Sequence, residues 1–204
     1  GRSEAAYKQN MADCKERLDV AERLLREKPR DFEAIDQALE KFKEVASKQP
    51  KYSSQLEDVT KLVVRRKEHH KLKKQAMEEV GGVVGLLGTV EGTDEGLRKV
   101  KKALALVKGV EWVLDEQKEF QNRLVDVLKS ARTAGEKGKT EATPNWQLIA
   151  GNYVVATTLS GSLPPEVFPA QDAQALGRDA DDAVAKRYDD PAYVGKFSFV
   201  EVNM

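Results

Sequence analysis

The stretch that most constrains this chain runs from Leu97 to Ala131. Leu97, Val100, Leu104, Val107, Val110, Leu114, Phe120, Leu124, Val127, Leu128 and Ala131 are separated by Lys, Arg, Glu, Asp and Gln. Such three- and four-residue steps place apolar side chains along one side of a helix. No proline falls between Thr93 and Arg132, a run long enough for a rod of about 60 Å. The stripe shifts at Val107-Lys108-Gly109-Val110. Apolar positions beyond Lys108 are rotated by roughly 100–140° from those before it. A glycine in a helix interior also costs about 1 kcal/mol relative to Ala. Either the helix breaks near Gly109, or a straight rod meets different neighbours along its two halves.

The same periodicity marks three helices ahead of this one. Tyr7, Met11, Cys14, Leu18, Ala21 and Leu25 form the first stripe, with Ser3 as candidate cap, and Pro29 ends it. Asp31 can cap a second helix carrying Phe32, Ile35, Leu39, Phe42 and Val45, which closes before Pro50. The short link at Lys28–Asp31 predicts that these two fold back on each other. Ala38, Phe42 and Pro50 resemble the second half of a tetratricopeptide repeat. The repeat period does not recur, however, and Pro29 falls where a first repeat helix would continue, so the family is not adopted. Ser54 and Glu57 have capping-box spacing for a third helix. Its apolar positions are Leu56, Val59, Leu62 and Val63, then Leu72, Ala76, Met77 and Val80.

Between the third and fourth helices lies Val80–Val90, which has no charge and four glycines, and Thr93 or Asp94 is the expected cap of the long helix. The two helices read as an antiparallel hairpin with this stretch near its tip. Gly81, Gly85 and Gly88 are spaced to let two helices approach closely, so the segment is a packed helix, an ordered turn or a surface-contacting tip.

After Ala134 the composition changes. Residues 135–145 read as a linker, and Gly151-Asn152 between Trp146–Ala150 and Tyr153–Leu159 reads as a β-hairpin turn. Leu163–Pro169 is a proline-rich loop, and Ala170–Arg187 suits one or two short helices broken near Gly177. Lys196–Val202 alternates with period two and reads as a strand. Three strands make a thin domain, so this tail is expected to dock on the helices.

Charge is the other guide. The 204 residues carry 34 basic and 34 acidic side chains. Residues 61–110 hold 12 basic against 6 acidic, whereas residues 144–204 hold 4 against 8. The basic excess gathers at Arg65, Arg66, Lys67, Lys71, Lys73 and Lys74 on the third helix and at Arg98, Lys99, Lys101 and Lys102 on the fourth. In an antiparallel hairpin these share one end, where they suit the phosphates of nucleic acid or the headgroups of an anionic membrane. The plainer reading is a solvated helix face, partly neutralised by the acidic tail.

Catalytic groups do not assemble. Gly138-Lys139-Thr140 lacks the earlier glycine of a phosphate-binding loop, Thr133 standing in its place, and has no strand before it. His69 and His70, the only histidines, diverge by 100° on a helix and suit no shared metal. Asp179, Asp181 and Asp182 are followed by Ala183 and Val184, where a calcium loop needs an oxygen ligand and glycine. Ser160-Gly161-Ser162 is no nucleophile elbow. Cys14, the only cysteine, sits within an apolar stripe and reads as a small buried hydrophobe. No cofactor, metal or small-molecule substrate is implied.

The sequence therefore predicts a mainly α fold of antiparallel helical hairpins or a bundle, with coiled-coil-like amphipathic helices. Residues 1–134 form the helical domain of about four helices, 135–145 the linker, and 146–204 a small, partly β C-terminal appendage docked on it. The expected role is a non-enzymatic scaffolding module that meets a protein partner or its own copy; the alternative is an anionic surface reader using residues 61–110. Compartment is undetermined. No apolar run reaches membrane-spanning length, and Gly1-Arg2-Ser3 suggest that a signal peptide, anchor or further domain precedes the chain.

Overall fold

The computed structural model describes residues 1–194. Its helices are α1 (Arg2–Glu27), α2 (Phe32–Ala46), α3 (Ser53–Gly81), α4 (Val90–Leu106), α5 (Leu114–Lys139), α6 (Trp146–Ser160), α7 (Ala170–Tyr188) and the short α8 (Pro191–Val194). Single 3₁₀ turns at Pro50–Tyr52 and Val84–Leu86 precede α3 and α4. The mainly α expectation holds. No strand occurs among the described residues, and the strand expected at Lys196–Val202 lies outside them.

The chain divides into two compact units, Gly1–Leu72 and Lys73–Met204. In the first, α1 and α2 pack as the expected antiparallel pair. Cys14, Leu18, Leu25, Ile35, Phe42, Ala46, Val59 and Val63 form its core. Asp31 caps α2 by accepting from the Ala34 N–H at 3.1 Å. The guanidinium of Arg66 donates to the Leu25 carbonyl at 3.0 Å, satisfying an acceptor at the end of α1. Tyr52, in the 3₁₀ turn, stands edge-on to Phe42, and α3 starts directly after it at Ser53.

The second unit is built on α6. This helix of 15 residues carries no charged side chain, and a helix apolar on all sides belongs in an interior. Ile149, Ala150, Asn152, Tyr153, Val155, Ala156 and Leu159 are all buried. They share one core with α4 (Val100, Ala103), α5 (Phe120, Leu124, Leu128) and α7 (Leu176, Ala180, Ala183). Leu163 and Phe168 from the proline-rich loop also join it.

Four local expectations are corrected here. The hairpin around Gly151-Asn152 is instead the middle of α6. Asn152 makes no turn; its amide donates to the carbonyls of Leu87 and Leu148, both at 3.1 Å. The expected linker begins too early, because α5 continues to Lys139 with Gly135 against Tyr153 and Gly138 against Ile149. The expected break in α7 near Gly177 is absent. Thr89, not Thr93 or Asp94, caps α4, its hydroxyl accepting from the Gly92 N–H at 2.9 Å. That leaves Thr93 buried one turn in, donating to the Val90 carbonyl.

The glycine-rich stretch is an ordered turn. Val80, Val83 and Leu87 are buried, whereas a side chain at Gly81, Gly85 or Gly88 would meet nothing within 4 Å. The glycines that permit close approach are others. A Cβ at Gly92 would strike the Leu86 carbonyl, and one at Gly151 would strike the Thr93 hydroxyl. The question left at Gly109 is resolved as a break: α4 ends at Leu106, α5 begins at Leu114, and Trp112 between them stacks on Phe120 at 5.3 Å.

Candidate functional site

The ten cations of the predicted basic surface fall in both units. In the first, Arg66 is spent on the Leu25 carbonyl, and Lys67 pairs with Asp36 at 2.7 Å. Arg65 and Lys71 are exposed. In the second, Lys73 is buried, only 7% exposed, and pairs with Glu116 at 3.1 Å beneath Trp112, whose ring centroid lies 5.2 Å from the ammonium. This lysine belongs to the interior.

On α4 the charges are graded along the axis. Glu91, Asp94 and Glu95 occupy its first turns, and Arg98, Lys99, Lys101 and Lys102 follow toward the C-terminus. Acids near the positive end and bases near the negative end are what the helix dipole favours, so part of the clustering has a structural cause. Lys99 and Lys102 both reach Glu79 of α3, at 3.5 and 2.9 Å. The Lys102 hydrogen bond, aided by the charges of Lys102 and Lys99, holds the Glu79 carboxyl below its ordinary value against the opposing effect of burial. Lys74, Arg98 and Lys101 remain exposed, without an ion pair among the described residues. The predicted surface is therefore smaller than its sequence cluster. Glu79 and Glu116, each next to another acid (Glu78 and Asp115), gave no sequence signal of that role.

The other singled-out motifs are absorbed by the fold. Lys139 of Gly138-Lys139-Thr140 stands over the Tyr153 ring at 4.7 Å and faces Asp179 at 3.8 Å. Burial pulls this ammonium down, but Tyr153, Asp179 and Asp182 outweigh it, and its pKa lies above the ordinary lysine value. Thr140 bonds back to the Lys137 carbonyl as the helix ends. Asp182 pairs with Lys186, which lies over Trp146 at 4.5 Å. The His70 ring packs on Phe32 at 5.3 Å. No group of three or more His, Cys, Asp or Glu among the described residues could hold a metal ion. Cys14 is fully buried, and burial, with the Asp13 charge, pushes its thiol pKa up.

Two shallow depressions adjoin the start of α6. The larger, about 540 Å³, is lined by Thr89, Glu91, Asn145, Gln147 and Asp190 among others. The smaller, about 470 Å³, lies between Trp146, Lys186 and Asp189. Helix starts favour anions, yet the Gly92 and Leu148 N–H groups are already taken by Thr89 and Asn145. The charged side chains lining the larger depression, Glu91 and Asp190, are both acidic.

No family model, curated protein or solved structure matches this chain. None of the described helices is long and apolar enough to cross a membrane.

Proposed function

We propose that this chain is a non-enzymatic helical interaction module that holds a protein partner, or a second copy of itself, against the N-terminal part of α1. One observation carries the reading. The α1 stripe runs Tyr7, Met11, Cys14, Leu18, Ala21, Leu25, but burial begins only at Cys14. Every residue from Gly1 to Asn10 is exposed, and Tyr7 is 52% exposed at the head of the stripe. Nearly three helical turns thus project with little tertiary support. Isolated helices of that length are marginal in water, and a partner covering the stripe would stabilise them.

A photo-crosslinking residue at position 7 in cells, with sedimentation equilibrium of the purified chain, tests this. Position 9, about 200° round the helix, is the control. Adducts from position 7 but not 9, or self-association abolished by Tyr7→Glu, are the expected results. A monomer giving no adduct from position 7 would contradict the reading.

A second reading, recognition of an anionic surface, draws on Lys74, Arg98 and Lys101, which are exposed and lack ion pairs among the described residues. Binding to acidic vesicles or nucleic acid would fall steeply with salt and disappear on reversing these three charges. Binding that survives the reversals eliminates it.

A further inference from the structure

The break between α4 and α5 is only partly written into its own residues: the apolar stripe shifts there and Gly109 weakens the helix, but no strong stop signal is present. Segment 107–113 contains no proline. No described residue, Gly109 included, has a positive φ, and a side chain at Gly109 would meet nothing within 4 Å. Helices commonly end at a left-handed glycine and begin at a capping Ser, Thr, Asp or Asn. Here α4 ends on Val107 and α5 starts from Val113, which offers no side-chain cap. Apart from Gly109 and the shifted apolar stripe, the segment carries none of the usual stop or start signals.

What holds the break is tertiary. Lys73 and Glu116 pair at 3.1 Å with side chains only 9% and 10% exposed. Trp112 lies against the Lys73 ammonium and stacks on Phe120. A buried ion pair stabilises poorly relative to apolar packing, yet losing one partner leaves an uncompensated charge. The latch is therefore sensitive to a single change. Leu114, at the first position of α5, is 63% exposed, an apolar side chain that the folded break leaves uncovered.

We propose that residues 107–113 are a hinge held shut by Lys73, Glu116 and Trp112. Opening joins α4 and α5 into one continuous helix and exchanges halves of the second unit between two copies of this chain. The second copy is specified by the packing that opening removes. α4 seats Thr93 against Gly151 of α6, so closely that a Cβ on Gly151 would overlap the threonine hydroxyl. Another copy's α6 offers the same notch, and exchange of identical elements is a low-cost route to a dimer. This inference does not rest on the α1 reading, and every chain in its test carries Tyr7→Glu so that an α1 contact cannot supply the dimer.

Leu114→Pro decides it. Proline is favoured at the first position of a helix, and Val113, at φ −81° and ψ 138°, already has the extended backbone that a following proline requires. The closed hinge accepts this substitution, whereas a continuous helix would carry a proline in its interior. The chain is refolded at high concentration and its mass measured by light scattering after size exclusion. The Tyr7→Glu parent is expected to yield a dimer fraction, Glu116→Gln to raise it several-fold, and Leu114→Pro to remove it in both backgrounds. Hydrogen exchange of amides 108–113 should be fast in the monomer and protected in the dimer. A dimer that persists with Leu114→Pro, the absence of any dimer in the parent, or a dimer with unprotected hinge amides would overturn the proposal. Should Glu116→Gln fail to fold, the parent and Leu114→Pro pair decides alone.

Discussion

Gly151→Ala probes the crossing on which the second unit depends. An added Cβ would overlap the Thr93 hydroxyl and lie 2.8 Å from Thr93 Cβ and 3.3 Å from its Cγ2. Thr93 Cβ is fixed to the α4 backbone, so relief requires the two helices to part. Overpacking of this kind costs about 1–3 kcal/mol, and a backbone-anchored contact belongs at the upper end. Alanine recovers about 1 kcal/mol through its greater helix propensity. The net loss is about 2 kcal/mol, a fall in Tm of roughly 6–10 °C for a unit of this size. Gly177→Ala is the matched control. It makes the same chemical change inside α7, where a Cβ meets nothing within 4 Å, and should raise Tm by roughly 2–4 °C. Trp112 and Trp146, the two tryptophans, both lie in the second unit, so their fluorescence during thermal unfolding reads that unit. Adding Thr93→Ala to Gly151→Ala should return part of the loss, visible as a favourable coupling in the double-mutant cycle. A Gly151→Ala protein as stable as wild type would refute the reasoning.

Three further outcomes follow from individual contacts. Asn145→Ala removes the acceptor for the Leu148 N–H at 3.2 Å and should destabilise the second unit by about 1 kcal/mol, read from the same fluorescence transition. Glu79 titrates below the ordinary glutamate value of 4.5 because it accepts from Lys102; its stabilisation is complete above that value and disappears as pH falls through the lower folded value. Glu79→Gln should therefore be less stable than wild type at neutral pH, with the difference closing in acid; a gap that widens in acid would contradict the assignment. Cys14, fully buried with a raised thiol pKa, should resist alkylation in the native protein and react fully in denaturant, by intact mass; prompt native labelling would show the first core to be open.

The amphipathic helices were legible because their burial is one-sided. Cys14, Leu18, Ala21 and Leu25, or Leu124, Val127, Leu128 and Ala131, keep helical spacing because the opposite face meets water. The same logic fails for α6. Its neighbours cover every side, so no polar face reveals the period, and a buried helix cannot be told from buried strands by pattern alone. Gly-Asn then imitates a turn, and Tyr153, Val154 and Val155 imitate a strand. Length was the better guide, since 15 residues without a charge exceed an ordinary strand. The glycines misled in a related way. Spacing suggested close packing at Gly81, Gly85 and Gly88, but close packing needs a partner element: α4 meets the preceding Val84–Leu86 turn at Gly92, and α6 meets α5 at Gly135 and α4 at Gly151.

Local composition likewise overstated the basic surface. Counting charge along the chain shows where cations gather but not which acids reach them from elsewhere. Lys67 finds Asp36, Lys73 finds Glu116, and Lys99 and Lys102 share Glu79, across separations of 20 to 43 residues. The break near Gly109 was half legible. The rotated stripe required either a bend or a change of neighbours, and the stacking of Trp112 on Phe120 accompanies the bend.

Hydrogen exchange resolved along the isolated chain tests the account most directly. Amides within α6 should exchange slowest, near the limit set by unfolding of the second unit, and those of Gly1–Asn10 fastest among the helical residues. Rapid exchange through Tyr153–Leu159 would remove the helix on which the second unit is built, and strong protection of Gly1–Asn10 in the monomer would show that its stripe is already covered.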